Sequence, residues 1–511
     1  MNESYLPTGT VLTWPDYALV ALCVGVMCFI GWRTGRGSRT TSDFFLGGRR
    51  IPWWAAMLSF VATEISAMTI IGIPATSFRE NWNYAQFFFG STAARLTIAF
   101  LFIPAFYRYE CTTIYEYLRH RFGAGTQYAA SAFFFVSRLF GSGVRLMAAS
   151  MAVSVLLGWH LVPSLACFTL VGIAYIGFGG MLSVVWTGVF QALVFVVSGV
   201  ATLVFICHSV QGGLPTVLSV AEAGGRLNFF HWGPSPSEAG FLVKFFSDPN
   251  ILWIAILNGF FGSMAAFGTD QEMTQRLLAV ETRRDSQRTM IYTILASFGV
   301  LSLYLAVGTA LYAFYQVHPE QALPKELDKV YPHFAVQAMP AFLRGGLLAA
   351  VVMASIDSPL ASLSTSFVTD IYRPLLRRDA DDRHYLFVSR VCVGVFGLLL
   401  ALIAYAFSSY DKMLWLAFKI GGVTYGSLLG VFLFGLLTRK RSNRANIVAM
   451  LTMSGINLTL LILSEKKILP LGWSWLIIIG TLGTMGLARL LSPVLDGGGD
   501  LPPEVKGASD A

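Results

Sequence analysis

Residues 53–77 read WWAAMLSFVATEISAMTIIGIPATS. The run is long enough to cross a bilayer, for which a helix needs about 20 apolar residues. Yet Glu64 stands near its middle, flanked by Thr63 and Ser66, and Gly72 and Pro74 follow. A carboxylate at that depth costs several kcal/mol unless it is paired, hydrated or used. Small polar residues and helix breakers at the same depth let a helix open and offer backbone carbonyls to an ion. A plain anchor needs none of this, so the segment reads as part of a pathway for an ion or polar solute.

The rest of the chain supplies the setting. Of 511 residues, 55% are hydrophobic and 13% charged, against roughly 25% charged in soluble domains. The chain is therefore expected to be an all-α, polytopic membrane protein. Apolar stretches of bilayer length fall at about 12–32, 53–77, 84–107, 128–157, 162–178, 182–208, 249–268, 289–314, 343–367, 386–408, 411–438, 445–464 and 469–490, which makes thirteen spans. Loops 33–50, 108–127, 269–288, 373–390 and 439–444 hold 5, 3, 4, 5 and 4 Lys/Arg. The alternate loops hold far fewer, so the positive-inside rule places the first set in the cytoplasm, the N-terminus outside and the C-terminus inside.

Several functions are excluded. Cys23, Cys28, Cys167, Cys207 and Cys392 fall in apolar stretches without framework spacing, and the seven His do not cluster, so neither a disulfide scaffold nor a metal cluster is expected. No P-loop is present, which removes support for ATP-driven transport. Arg33, Arg36 and Arg39 follow the first apolar run rather than precede it, which is not the order of a cleavable signal. The net charge of +8 belongs to the membrane-facing bias and does not point to nucleic acid.

Charges inside the spans are the candidate functional residues. Besides Glu64 these are Arg95, Arg138, Arg145, Asp357 and Lys419. Arg138 and Arg145 are seven apart and share one helix face. Two readings stay open: internal ion pairs, Glu64 with Arg95 and Asp357 with Arg145, or a transport path. The ninth span is rich in hydroxyls, with Ser355, Ser358, Ser362, Ser364, Thr365 and Ser366. These serve either close helix packing or ligation of a hard cation such as Na⁺. The row Gly422, Gly426, Gly430 reads as a packing face. Phe87, Phe88 and Phe89 read as packing, with Phe88 a candidate for the wall of a solute cavity.

Five motifs then occur in order: TSDFFLGGRR at 41–50, FYRYECTTIYEYLRHRFG at 106–123, YIGFGGMLSVVWTGVFQ at 175–191, GTDQEMTQR at 268–276 and MASIDSPLASLSTSFVTDIY at 353–372. Together they resemble the sodium:solute symporter family over nearly the whole chain, closest to its sialic acid, monocarboxylate and iodide branch. The resemblance implies a LeuT-type fold. It divides the chain into an extra N-terminal helix and loop (1–50), a first five-helix repeat (51–208), an outer loop (209–248), an inverted second repeat (249–438), C-terminal helices (439–490) and a disordered tail (491–511). The tail leaves no room for a signalling domain. The discontinuous helices would be 53–77, broken at Gly72 and Pro74, and 249–268, broken at Gly259 and Gly262.

The resemblance also implies a sodium site. It uses Ala62 and Ile65 on the first core helix and Val351, Ala354 and Ser355 on the eighth, with Asp357 beside them. Three positions depart from the family pattern. Ala354 stands where Ser is usual, Gly188 where many members carry Asp, and Asp357 where a neutral or hydroxyl residue is common. A carboxylate moved from position 188 to 357 is one reading. The expected activity is secondary transport that couples inward Na⁺ flow to uptake of a small polar, anionic organic solute by alternating access. The expected partners are Na⁺, the solute and the bilayer, with the protein a monomer and not an enzyme. Candidate solute contacts are Glu64, Ser66, Thr69, Phe88, Arg145 and Ser263, with Arg145 as the carboxylate partner. Proton coupling through Glu64 or Asp357, or a solute sensor with the same fold, are the alternatives.

Overall fold

The computed structural model describes residues 12–35, 40–157, 159–324, 326–354, 359–408 and 413–497. Among these the chain is largely helical, with an isolated β bridge between Ile51 and Val280. In order the helices are α1 (Trp14–Gly35), α2 (Thr41–Leu46), α3 (Trp53–Glu64), α4 (Ala67–Arg79), α5 (Phe87–Thr97), α6 (Ile103–Arg108), α7 (Ile114–Arg121), α8 (Ala124–Leu157), α9 (Leu161–Ser209), α10 (Gly213–Ala223) and α11 (Phe241–Ser247). They continue with α12 (Leu252–Gly268), α13 (Gln271–Leu278), α14 (Arg283–Val317), α15 (Val330–Ala338), α16 (Ala341–Met353), α17 (Pro359–Ser366), α18 (Asp382–Ala406), α19 (Met413–Leu437), α20 (Arg444–Glu465) and α21 (Ser474–Leu495). Each apolar stretch of the sequence carries helix in its described part. Eight helices among the described residues are long and apolar enough to cross a membrane, or up to nine with the bent pair α3 and α4 taken as one span.

The first core helix is broken, but not where glycine and proline suggested. It parts at Ile65 and Ser66, both in extended conformation, and the two halves meet at 60°. Gly72 and Pro74 lie inside α4, which runs on through them. The break follows from chemistry at Ser66. Its hydroxyl accepts from the Thr69 backbone while the Thr69 hydroxyl accepts from the Ser66 N–H, a reciprocal cap that starts a new helix.

The second expected break is absent, since α12 is continuous over Leu252–Gly268. Gly259 has a packing role instead. A Cβ there would lie 2.1 Å from the Phe87 carbonyl, and one on Gly90 would lie 1.9 Å from the Ile256 carbonyl. The glycines let α5 and α12 cross backbone to backbone, the close approach that small residues permit in membranes. Gly426 and Gly430 do the same for α19 against α21, where a Cβ on each would lie 2.8 and 2.7 Å from the Ile477 and Thr481 carbonyls. Further along, α9 bends at Gly180, whose φ of 54° and ψ of −150° are non-helical and suit glycine alone among ordinary residues. A Cβ there would strike the Phe44 carbonyl at 2.6 Å.

These contacts predict a graded response to one methyl group. Gly259→Ala and Gly90→Ala force α5 and α12 apart, at about 1–3 kcal/mol each by the usual cost of overpacking. Gly72→Ala meets no atom within 4 Å and leaves the melting temperature in detergent unchanged. Equal melting temperatures for all three variants would contradict the crossing.

Candidate functional site

The break at Ile65–Ser66 changes which backbone groups are free. In a continuous helix the Ser66 N–H would bond the Ala62 carbonyl and the Thr69 N–H the Ile65 carbonyl. Here the Ser66 N–H turns to Thr69 Oγ1 at 3.2 Å, and the Thr69 N–H turns to the Ser66 carbonyl at 2.9 Å. The carbonyls of Ala62 and Ile65 therefore lose their helical donors. They lie at the negative end of α3, on buried residues, and suit a hard cation. Val351 and Ala354, at the end of α16, are buried too. The Gln191 amide holds that helix end by donating to the Met353 carbonyl at 3.0 Å. Ser355 and Asp357 fall outside the described residues.

Glu64 and Arg95 form an ion pair at 2.6 Å. Ser297 donates to the second carboxylate oxygen at 2.6 Å, and Arg95 also donates to Thr293 at 2.7 Å. The Arg95 guanidinium is fully buried against the rings of Phe267, Phe60 and Phe88, at 4.5, 5.8 and 5.8 Å from their centroids. Glu64 is thus engaged on both oxygens, and Phe88 packs on its partner. Thr69 serves the cap of α4, and Ser263 is half-buried on α12. Neither Glu64, Thr69, Phe88 nor Ser263 lines the cavity described next.

That cavity, of about 50 Å³, brings together Ser66, Arg145 and Ala354 from the sequence candidates. Arg145 has no hydrogen-bond or ion-pair partner among the described residues. Ser142 and Thr169 line the same space, and their buried hydroxyls have no partners among the described residues. Leu146, Phe168, Leu360 and Leu400 supply an apolar wall. Ser142 and Thr169 were missed from sequence, because a single hydroxyl on each of two apolar helices carries no pattern.

Arg138 has a different fate from Arg145, two turns away. Its guanidinium pairs with Asp270 at 2.6 Å and with Glu272 at 2.5 Å, all three nearly inaccessible. Tyr425 donates to the other Asp270 oxygen at 3.0 Å. Both acids belong to the GTDQEMTQR motif, which forms a plug: every residue of α13 is buried. Around it, Gln275 bonds Thr365 and the Phe45 carbonyl, Arg276 bonds Ser59, and Tyr115 bonds the Thr269 carbonyl. Glu272 also faces the cavity of Arg145. Outside the spans, burial pushes the Cys111 thiol well up from its ordinary value, so that thiol is inert.

Gly188 is a close helix contact. A Cβ at 188 would lie 2.6 Å from Ser59 Oγ and 2.9 Å from Ser59 Cα. No side chain fits there while α3 and α9 touch, so restoring a carboxylate at 188 would displace α3.

A model of the sodium:solute symporter family matches residues 44–453. The chain belongs to that family. The sodium/sialic acid symporter SiaT of Proteus mirabilis is 28% identical over 443 residues, 85% of this chain and 86% of that protein. Sodium-coupled monocarboxylate transporter 1 of Homo sapiens is 26% identical over 460 residues, 88% of this chain and 73% of that protein. A substrate-bound, outward-open structure of a Na⁺-coupled sialic acid symporter aligns with a TM-score of 0.84 at 22% identity, covering 96% of this chain and 100% of that one. This symporter thus shares a known transporter fold. Na⁺ is its coupling ion, and it is a multi-pass protein of the cell membrane, a transporter and not an enzyme.

The buried triad of Arg138, Asp270 and Glu272 gives a stability prediction. Arg138→Met leaves two carboxylates buried without their cation and costs about 3–5 kcal/mol, read as a fall in melting temperature and yield. Tyr425→Phe removes one neutral donor and costs about 1 kcal/mol. An Arg138→Met variant as stable as Tyr425→Phe contradicts the assignment.

Proposed function

We propose that this symporter couples inward Na⁺ flow to uptake of a small organic anion by alternating access. The observation that carries the reading is Arg145: a cation in the bilayer-spanning part of α8, half-buried, facing a cavity, with no partner among the described residues. An intramembrane charge is expensive and usually marks a path. A guanidinium matches a carboxylate in two parallel hydrogen bonds. The names of the similar proteins, a sialic acid symporter and a monocarboxylate transporter, agree with an acid as cargo.

In this reading Na⁺ sits between the freed carbonyls of Ala62 and Ile65 and the end of α16, with Val351, Ala354 and Ser355 completing its oxygens. Asp357 adjoins that site. The ion ties the first and eighth core helices together and favours the outward-open state. The molecule has thirteen spans, with inverted repeats at 51–208 and 249–438. The basic end, which carries α13, faces the cytoplasm by the positive-inside rule. Release of cargo then requires the α13 plug to part from Arg138 and Tyr425. The protein works as a monomer. Proton transport through Glu64 is the weaker reading, since both carboxylate oxygens are already taken by Arg95 and Ser297.

The test is uptake of radiolabelled propionate, sialic acid and glucose into proteoliposomes, with and without an inward Na⁺ gradient. Accumulation of an acid, driven by Na⁺ and not by a pH gradient, is expected. Arg145→Ala lowers it at least tenfold while the melting temperature holds, since a lost desolvated charge partner costs about 2–5 kcal/mol, and Arg145→Lys recovers only part. Na⁺-driven glucose uptake that survives Arg145→Ala would overturn the reading. A second prediction concerns the ion. Ser355→Ala raises the half-saturating Na⁺ concentration severalfold, and Ala354→Ser lowers it or leaves it unchanged. Unchanged Na⁺ dependence in Ser355→Ala removes that residue from the site.

A further inference from the structure

We propose that the connection between α10 and α12 is a membrane-docking element, seated in the interfacial layer of the outer leaflet. It exposes large apolar side chains in two groups. Leu227, Phe230 and Trp232 form the first, and Leu242, Val243 and Phe246 form the second, with Trp232 at 64% and Leu242 at 66% exposure. A loop bathed in water does not keep so many apolar groups on its surface. A patch of this kind marks an interaction site, and its depth in the molecule says what covers it.

Hydrogen bonds fix that depth at the ends of three spans. The His231 N–H donates to Gln86 Oε1 at 2.9 Å, at the start of the span 84–107. The Leu252 N–H donates to the His231 carbonyl at 2.8 Å, at the start of 249–268. The Gly472 N–H donates to the Phe246 carbonyl at 2.8 Å, at the start of 469–490. All three ends lie opposite the basic loops, on the outer face by the positive-inside rule. Both apolar groups therefore stand at the hydrocarbon boundary, where aromatic rings are favoured. They continue surfaces that already face lipid. Phe230 stacks on the exposed Phe89 of α5, with ring centroids 6.4 Å apart, and α12 carries the exposed Trp253 and Leu257 onward into its span.

The charges of the loop suit the same place. Between 227 and 246 they are Glu238 and Lys244, which pair with each other at 2.9 Å, while His231 faces Asp248 at 2.9 Å. The polar stretch 235–239 lies between the two apolar groups and is exposed throughout, a tip for the aqueous side. Apolar flanks and a polar crest make the division expected of a segment lying in the interface plane. The docked loop also has a grip on the broken span. Arg226 donates to the Arg79 carbonyl and, at 2.6 Å, to the Glu80 carbonyl at the end of α4. A loop seated in lipid thus holds the outer end of α4 at a fixed height.

The test places wild-type full-length protein in phosphatidylcholine liposomes that contain a phospholipid with a diazirine near its glycerol. Labelled positions are mapped by mass spectrometry after illumination. Label is expected on 227–232 and 242–246, as on 253–257 of α12, and not on 235–239. Trp232→Ser combined with Leu242→Ser is expected to lower the label on Phe230 and Phe246 severalfold while the melting temperature holds, since both altered side chains are exposed. Label on 253–257 with none on 227–246 overturns the proposal. Absence of that label together with amine cross-links between copies through Lys244 assigns the face to a second copy of the chain and overturns it too. Unchanged label on Phe230 and Phe246 in the double variant overturns the assignment of the seat to these side chains.

Discussion

The backbone break at Ile65–Ser66 is the constraint on which the rest of the structure depends. A membrane allows non-helical backbone only where protein or a lined cavity satisfies it. The two halves of this span are accordingly held by different neighbours. On one side α3 lies against α9, with Gly188 facing Ser59 so closely that no Cβ fits. On the other side α4 lies against α14. There a Cβ on Gly308 would meet the Pro74 carbonyl and Ser77 Oγ, both at 2.1 Å, and Ser77 donates to the Leu305 carbonyl at 2.9 Å. The reciprocal cap of Ser66 and Thr69 starts the second half, and the carbonyls left over at Ala62 and Ile65 are those a cation needs. One local sequence choice thus sets both the bend and which carbonyls lose their helical donors.

Three arginines show how the same chain treats buried charge by context. Arg95 has one carboxylate, hydroxyls and three aromatic faces. Arg138 has two carboxylates. Arg145 has no such partner among the described residues. Insertion scales put an arginine at a helix centre at about 2.5–3.5 kcal/mol. The first two are offset within the protein, and their environments read as structural. For the third no partner stands among the described residues, and it lines a cavity.

Much of this could be read from the sequence, and the failures have definite causes. Apolar runs placed the helices, and the gap between 178 and 182 fell on the real bend at Gly180. The pair Glu64–Arg95 was legible because each charge stands alone in its span. The break was misplaced because glycine and proline are weighted as breakers, whereas Pro74 is tolerated inside α4 and the Ser66–Thr69 cap is what ends α3. In α12, Gly259 looked like a hinge but serves a helix crossing, and only the partner helix reveals that. At position 188 the sequence could not show how closely Ser59 packs against the glycine. Ser142 and Thr169 could not be read at all: a single hydroxyl on each of two apolar helices carries no pattern, and only the fold brings both to the cavity that Arg145 lines.

The proximity of the two proposed sites bears on coupling. Ser66 forms the cap that frees the carbonyls of Ala62 and Ile65, and it also lines the cavity of Arg145. Ala354 closes α16 and lines that cavity too. A cation at the break and an anion at Arg145 would therefore share walls. Opposite charges attract more strongly in a low-dielectric interior than in water. Each would raise the affinity for the other, and the two effects must be equal by linkage. A coupling of about 1–3 kcal/mol, the usual range for linked sites, needs no relay through distant helices here. It needs the break to hold its shape, which the packing of α3 on α9 and of α4 on α14 secures. On that account the glycines at 188 and 308 are as necessary to coupling as the groups that bind.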